Sequence, residues 1–142
     1  MKNQTWILIV AGVLIMLNGV YLALEMYRGH VREEWSNNEN LAGEAFNRLS
    51  SLGNWTSAIE VAVTAIVLVT AVWILKKRQS LLRAFTYANI AVLVVFLLIG
   101  FLVASIYPVA VGNAVQQLVG PGVIVMGLVV YQIVYTVRTA TR

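Results

Sequence analysis

The chain has 142 residues, 60% of them hydrophobic and only 11% charged, where a soluble domain carries about a quarter charged residues. With a mean hydropathy of +0.81 it is too apolar to cover itself with hydrated surface, which excludes an ordinary soluble domain. The net charge of +4 rests on basic residues at the ends of apolar runs, where membrane topology accounts for them and nucleic-acid binding is not expected. The absence of cysteine rules out disulfides, thiolate metal sites and S-palmitoylation.

The fold class expected is all-α: a polytopic integral membrane protein with four transmembrane helices in one bundle, forming a single domain over 1–142. Span 1 is placed at 6–27, with Trp6 and Tyr27 as interfacial anchors. Its apolar run is longer than a signal-peptide core and no A-x-A cleavage site follows, so it reads as a retained span.

An external loop at 28–54 follows, carrying Glu33, Glu34, Glu39 and Glu44. Asn38 or Asn40 is placed to cap a helix, and Leu41, Ala45, Leu49 and Leu52 recur at helical spacing with Phe46 beside them. Gly53 is the expected stop. These signals predict a short external amphipathic helix between spans 1 and 2, lying on the bilayer or on the ends of the bundle.

Span 2 is expected at 55–75, from Trp55 to Leu75, and the loop 76–83 holds Lys76, Lys77, Arg78 and Arg83. From Ala84 to Val137 there is no Lys, Arg, Asp or Glu. As one helix this stretch would run about 80 Å, against a hydrocarbon core of about 30 Å, so it must cross twice. Span 3 is placed at 84–107, ending at Tyr107-Pro108, and span 4 at 113–137. A start only at Pro121 would leave about 17 residues, barely a crossing, so an earlier start with a bend at Gly120-Pro121-Gly122 is expected.

Basic residues set the orientation. Lys2 precedes span 1, the 76–83 loop is basic, and Arg138 and Arg142 follow span 4. All three segments fall on one side of a four-crossing chain, so both termini are expected in the cytoplasm and the protein in a cell membrane.

Glu60 lies about 7 Å along the helix axis from Trp55, in the outer part of span 2, where an ionisable group is a candidate for ligand or ion binding. Glu25, Arg28 and His30 follow at the outer end of span 1. Asn113, Gln116 and Gln117 stand at similar height in the connection between spans 3 and 4. Together they outline an external polar pocket based on Glu60, with Glu25, His30, Asn113 and Gln116 as its other ligand or ion candidates. His30 is the only histidine, which excludes a bis-histidine haem within one chain and a His-rich metal site. No catalytic residue, metal or cofactor is expected.

Deeper in the apolar runs, Asn18 and Asn89, with Thr64, Thr70 and Gln132, are expected to hydrogen-bond between helices. Gly19/Ala23, Ala58/Ala62, Ala84/Ala88 and Gly100/Ala104 are spaced for close helix approach.

The layout, four spans in about 140 residues with Glu60 early in the second, loosely resembles the DoxX-like membrane proteins over Trp55 to Arg83. The glycines and arginines of that family's segment are missing, and no functional residue is carried over.

Three functions stay open on the sequence. The first is a non-enzymatic small subunit, assembly factor or regulator of a membrane complex, with other membrane chains or itself as partner alongside the lipid bilayer. The second is a small oligomeric transporter or channel using the pocket around Glu60. The third is a membrane enzyme or quinone-reactive module of DoxX-like layout.

Overall fold

A computed structural model describes residues 2–37 and 42–140. It is all-helical apart from short turns. Helices α1 (Lys2–Asn37) and α2 (Ala42–Lys77) are followed by a 3-10 turn at Gln79–Leu81 and by α3 (Leu82–Ile106). A short α4 (Val111–Val115), a second 3-10 turn at Gln116–Leu118 and α5 (Val119–Ala140) complete the chain. Four stretches are long and apolar enough to cross a membrane: Thr5–Asn37, Gly43–Lys77, Gln79–Ile106 and Val111–Arg138.

Helix α1 packs on α2 and α3, and α5 packs on the same two helices. Leu14 of α1, Val63, Val67, Ala71 and Ile74 of α2, Phe85 of α3 and Leu128 of α5 form one core cluster. Leu22, Phe96, Val103, Ala114 and Leu118 belong to a second. The exterior is apolar too. Leu8, Met16, Val61, Val69, Leu102, Met126 and Ile133 all point outward, giving a surface that matches lipid rather than water.

The helix ends differ in charge. Glu25, Glu33, Glu34 and Glu44 lie toward the α1–α2 connection, the acidic end, with Glu60 on the same side. Lys76, Lys77, Arg78, Arg83 and Arg138 lie at the opposite, basic end.

The segment between the first two spans departs from the sequence expectation. No separate amphipathic helix is present among the described residues. Residues 28–37 prolong α1 and residues 42–54 open α2, so each helix is 36 residues long, about 54 Å. The reason is register. Ala45 is buried and Leu49 and Leu52 are half-buried, in phase with Thr56, Val63 and Val67 further along the same face. One continuous stripe therefore specifies one continuous helix.

Phe46 stays exposed, while Val31 of α1 is buried and shares a small cleft with Ala45 of α2. Gly53 does not stop the helix, since no glycine adopts a positive φ and the Thr56 hydroxyl donates to the Gly53 carbonyl at 3.0 Å inside it. The caps expected at Asn38 or Asn40, and Leu41, lie outside the described residues.

The last span also differs. The α pattern breaks at Gln116–Leu118, one turn before the Gly120-Pro121-Gly122 bend expected from the sequence. Pro121 has no N–H for the carbonyl of Gln117 and its ring crowds that carbonyl, so the α pattern gives way to a 3-10 turn just before it. Pro121 itself is buried in the first turn of α5, where proline is tolerated.

Among the small residues, Gly100 sits where α3 meets α4, a Cβ there coming within 3.0 Å of the Ala114 carbonyl. Gly19 and Ala23 instead face outward, and a Cβ at Gly19 meets nothing within 4 Å.

Candidate functional site

Three helices bring polar residues to one place near the acidic end. The α1 residues Asn18, Tyr21, Glu25 and Arg28 are spaced three, four and three apart, which puts them on one helix face. Gly53, Ser57, Glu60 and Thr64 do the same on α2. Asn113, Gln116 and Gln117 come from α4 and the 3-10 turn that follows it. Between them lies a polar cavity of about 330 Å³, lined among others by Tyr21, Arg28, Ser57, Glu60, Asn113 and Gln116.

Tyr21 is 1% exposed and is the hub. Its hydroxyl lies 2.9 Å from the Asn113 carbonyl and 3.1 Å from Glu60 Oε1. One phenolic proton faces two acceptors, so the hydrogen bond is shared between them. The Gln116 side-chain amide donates to Glu60 Oε2 at 3.3 Å. Glu60 thus has a donor on each oxygen and remains half-buried at the cavity wall.

Glu25 is 2% exposed and ion-paired with Arg28 at 2.9 Å. The Asn113 side-chain amide reaches its other oxygen at 3.5 Å. A buried carboxylate is stable only when paired in this way. The Arg28 guanidinium passes over Gly53, where a Cβ would lie 3.4 Å from Nη2, so the glycine expected to end a helix instead makes room for a side chain. Two carboxylates against one guanidinium leave this end of the cavity with one net negative charge.

Asn18, one turn before Tyr21 on α1, and Gln117, next to Gln116, are almost wholly buried. Asn18 Oδ1 and both polar side-chain atoms of Gln117 have no hydrogen-bond partner, and neither does the Nε of Arg28. Buried polar atoms of this kind are places for ordered water.

The sequence candidates therefore divide. Glu60, Glu25, Asn113 and Gln116 meet in one site. His30 does not join them: it is exposed, and its ring stands edge-on to Tyr107 with centroids 6.1 Å apart. Asn18 and Asn89 do not bridge helices through their amides either. Each donates to a carbonyl four residues back in its own helix, Leu14 at 2.7 Å and Phe85 at 2.9 Å. The link between α3 and α5 is made elsewhere, by Gln132 Nε2 donating to the Thr86 hydroxyl at 2.7 Å.

Arg28, which the sequence places at the outer end of span 1 beside the pocket, joins the site, and Tyr21, which the sequence shows only as a residue of an apolar run, is added to it. Among the described residues no group of three or more His, Cys, Asp or Glu is placed to hold a metal ion. Comparison with known protein families, curated proteins and solved structures finds no match to this chain.

Proposed function

We propose that this chain is a non-enzymatic four-helix bundle of a cell membrane, with both termini cytoplasmic, that serves as a small subunit or regulator of a larger membrane complex. The observation that carries the reading is the cavity around Glu60. A carboxylate held by a phenol and an amide, with net charge −1 around it and open space in front, is an arrangement for receiving a cationic or hydrogen-bonding group. In this reading the group belongs to a partner chain, and a basic side chain of that partner docks beside Glu60 from the external side.

A transporter reading has one observation in its favour. Asn18 Oδ1 and the side-chain amide of Gln117 are buried without partners, next to Tyr21 along α1 and to Gln116 in the 3-10 turn, and so continue the polar groups of the site into the protein.

The test is purification of the tagged full chain in mild detergent, as wild type and as Glu60→Gln, which keeps the shape and removes the charge. Companion membrane chains are expected in fixed ratio with the wild type, and several-fold less of them with the variant at equal membrane insertion. Recovery of a lone homogeneous species from both would overturn the subunit reading. Glu60-dependent sodium, potassium or proton flux by that lone species in proteoliposomes would replace it with the transporter reading.

A further inference from the structure

The six acidic side chains all lie between Glu25 and Glu60 in the sequence, and no Asp or Glu follows Glu60. The basic end of the helices holds Lys76, Lys77, Arg78, Arg83 and Arg138. Arg83 forms no ion pair among the described residues, where the ion pairs seen, Glu25–Arg28 and Glu44–Arg48, are both at the acidic end.

Arg83 also lies between two adjoining cavities that share it and Gln132. One, of about 400 Å³, presents Gln79 and Ser80 beside Arg83. The other, of about 380 Å³, runs along Tyr87, Val129 and Ile133 between α3 and α5. A cation with neighbouring amide and hydroxyl donors thus opens directly onto an apolar furrow that follows the helix axes.

From this juxtaposition we infer that the cleft between the start of α3 and the end of α5 is a binding site for an anionic phospholipid, its phosphate at Arg83 and an acyl chain along Val129 and Ile133. The chemistry recognised is a phosphate anion, for which a guanidinium offers a matched pair of donors. What selects the lipid over free phosphate is the apolar half of the cleft, where an acyl chain packs along the furrow and an inorganic anion has nothing to place. The aromatic residues at the same end fit an interfacial position: Trp6 and Trp73 lie with ring centroids 4.8 Å apart, and Tyr131 and Tyr135 stack at 6.2 Å. Such rings gather at the level of lipid headgroups. The inference does not depend on the cavity around Glu60, which is at the other end of the molecule.

The experiment is native mass spectrometry of the full chain released from nanodiscs of phosphatidylcholine containing phosphatidylglycerol. One retained phosphatidylglycerol per chain is expected for the wild type. Arg83→Gln, at an exposed position, should lower that retention at least tenfold, with Arg83→Lys intermediate. Lys77→Gln removes an equal charge from outside the cleft and should change retention less than about threefold.

Equal losses in Arg83→Gln and Lys77→Gln would show a diffuse surface attraction of the kind a basic segment exerts on any anionic leaflet and would overturn the site. So would equal retention of phosphatidylcholine. Displacement of the lipid by millimolar inorganic phosphate would assign the site to the free anion. Circular dichroism of each variant at wild-type intensity excludes loss of fold as the cause.

Discussion

A phenol buried among apolar helices keeps its hydroxyl only where a partner takes the proton, and Tyr21 has that partner on two other segments at once. Its bonds to Glu60 and to the Asn113 carbonyl tie α1 to α2 and to α4 through one atom. Tyr21→Phe keeps the ring packing and deletes the atom, leaving Glu60 one donor short and the Asn113 carbonyl without this partner. The expected cost is about 1–2 kcal/mol, read as a thermal midpoint a few degrees lower in detergent. In the Glu60→Gln background the same change should cost less, because part of the interaction is already gone. An unchanged midpoint for Tyr21→Phe would show that the hydroxyl holds nothing together.

At this scale the sequence was partly legible. Glu60, Glu25, Asn113 and Gln116 stand out as polar residues in or beside apolar runs, and the structure gathers them. Tyr21 was hidden because tyrosine fits an apolar run without comment, whereas Arg28 was already visible beside Glu25 at the outer end of span 1. The signal that reveals Tyr21 is the three-four spacing of 18, 21, 25 and 28 on α1. His30 was drawn in by sequence proximity alone, and its position two residues beyond Arg28 turns it onto Tyr107.

At the scale of elements, number and order of the long helices followed from the apolar runs and their charged flanks, whereas their ends did not. Glycine and acidic residues in 28–54 looked like a break. The apolar phase nevertheless runs unbroken from Ala45 into Val63, and a helix continues wherever its buried face does. The bend in the last span was legible as a proline effect but not as to its site, because the missing donor acts on the turn before the proline.

Space, likewise, cannot be read from residue type, and α1 offers a controlled comparison. A Cβ at Gly12 or Gly19 meets nothing within 4 Å, while one at Gly29 comes within 2.6 Å of the Pro108 carbonyl oxygen. Gly12→Ala and Gly19→Ala should each be neutral or stabilising by about 0.5–1 kcal/mol, the helix gain of alanine over glycine. Gly29→Ala should destabilise by about 1–3 kcal/mol, the usual cost of overpacking, since backbone must move to admit it. Thermal unfolding of the three variants side by side measures the sign at each site, and a stabilising Gly29→Ala would contradict the close approach of α1 to the 107–109 turn.

For the molecule as a whole, charge is distributed along one axis. Every acidic side chain lies between residues 25 and 60, and the basic residues from Lys76 onward gather at the opposite end. Cytoplasmic loops of membrane proteins carry the excess of Lys and Arg, so the proposed orientation puts the 76–83 turn inside and the α1–α2 extensions outside. Those extensions are long. A 36-residue helix exceeds the hydrocarbon core by about 24 Å, which would carry the Glu44–Arg48 pair well clear of the bilayer.

Because the chain has no cysteine, single thiols report position without background. Ser36→Cys, at an exposed site on the α1 extension, should react with a membrane-impermeant maleimide on intact cells. Gln79→Cys, exposed in the turn between α2 and α3, should react only after the cells are opened. The reverse pattern would invert the molecule and make the cavity around Glu60 a cytoplasmic site, and labelling of both in intact cells would remove the crossing of α2. With the expected pattern, the two proposed sites face different compartments, so that a partner at Glu60 and a lipid at Arg83 bind from opposite sides of one small protein.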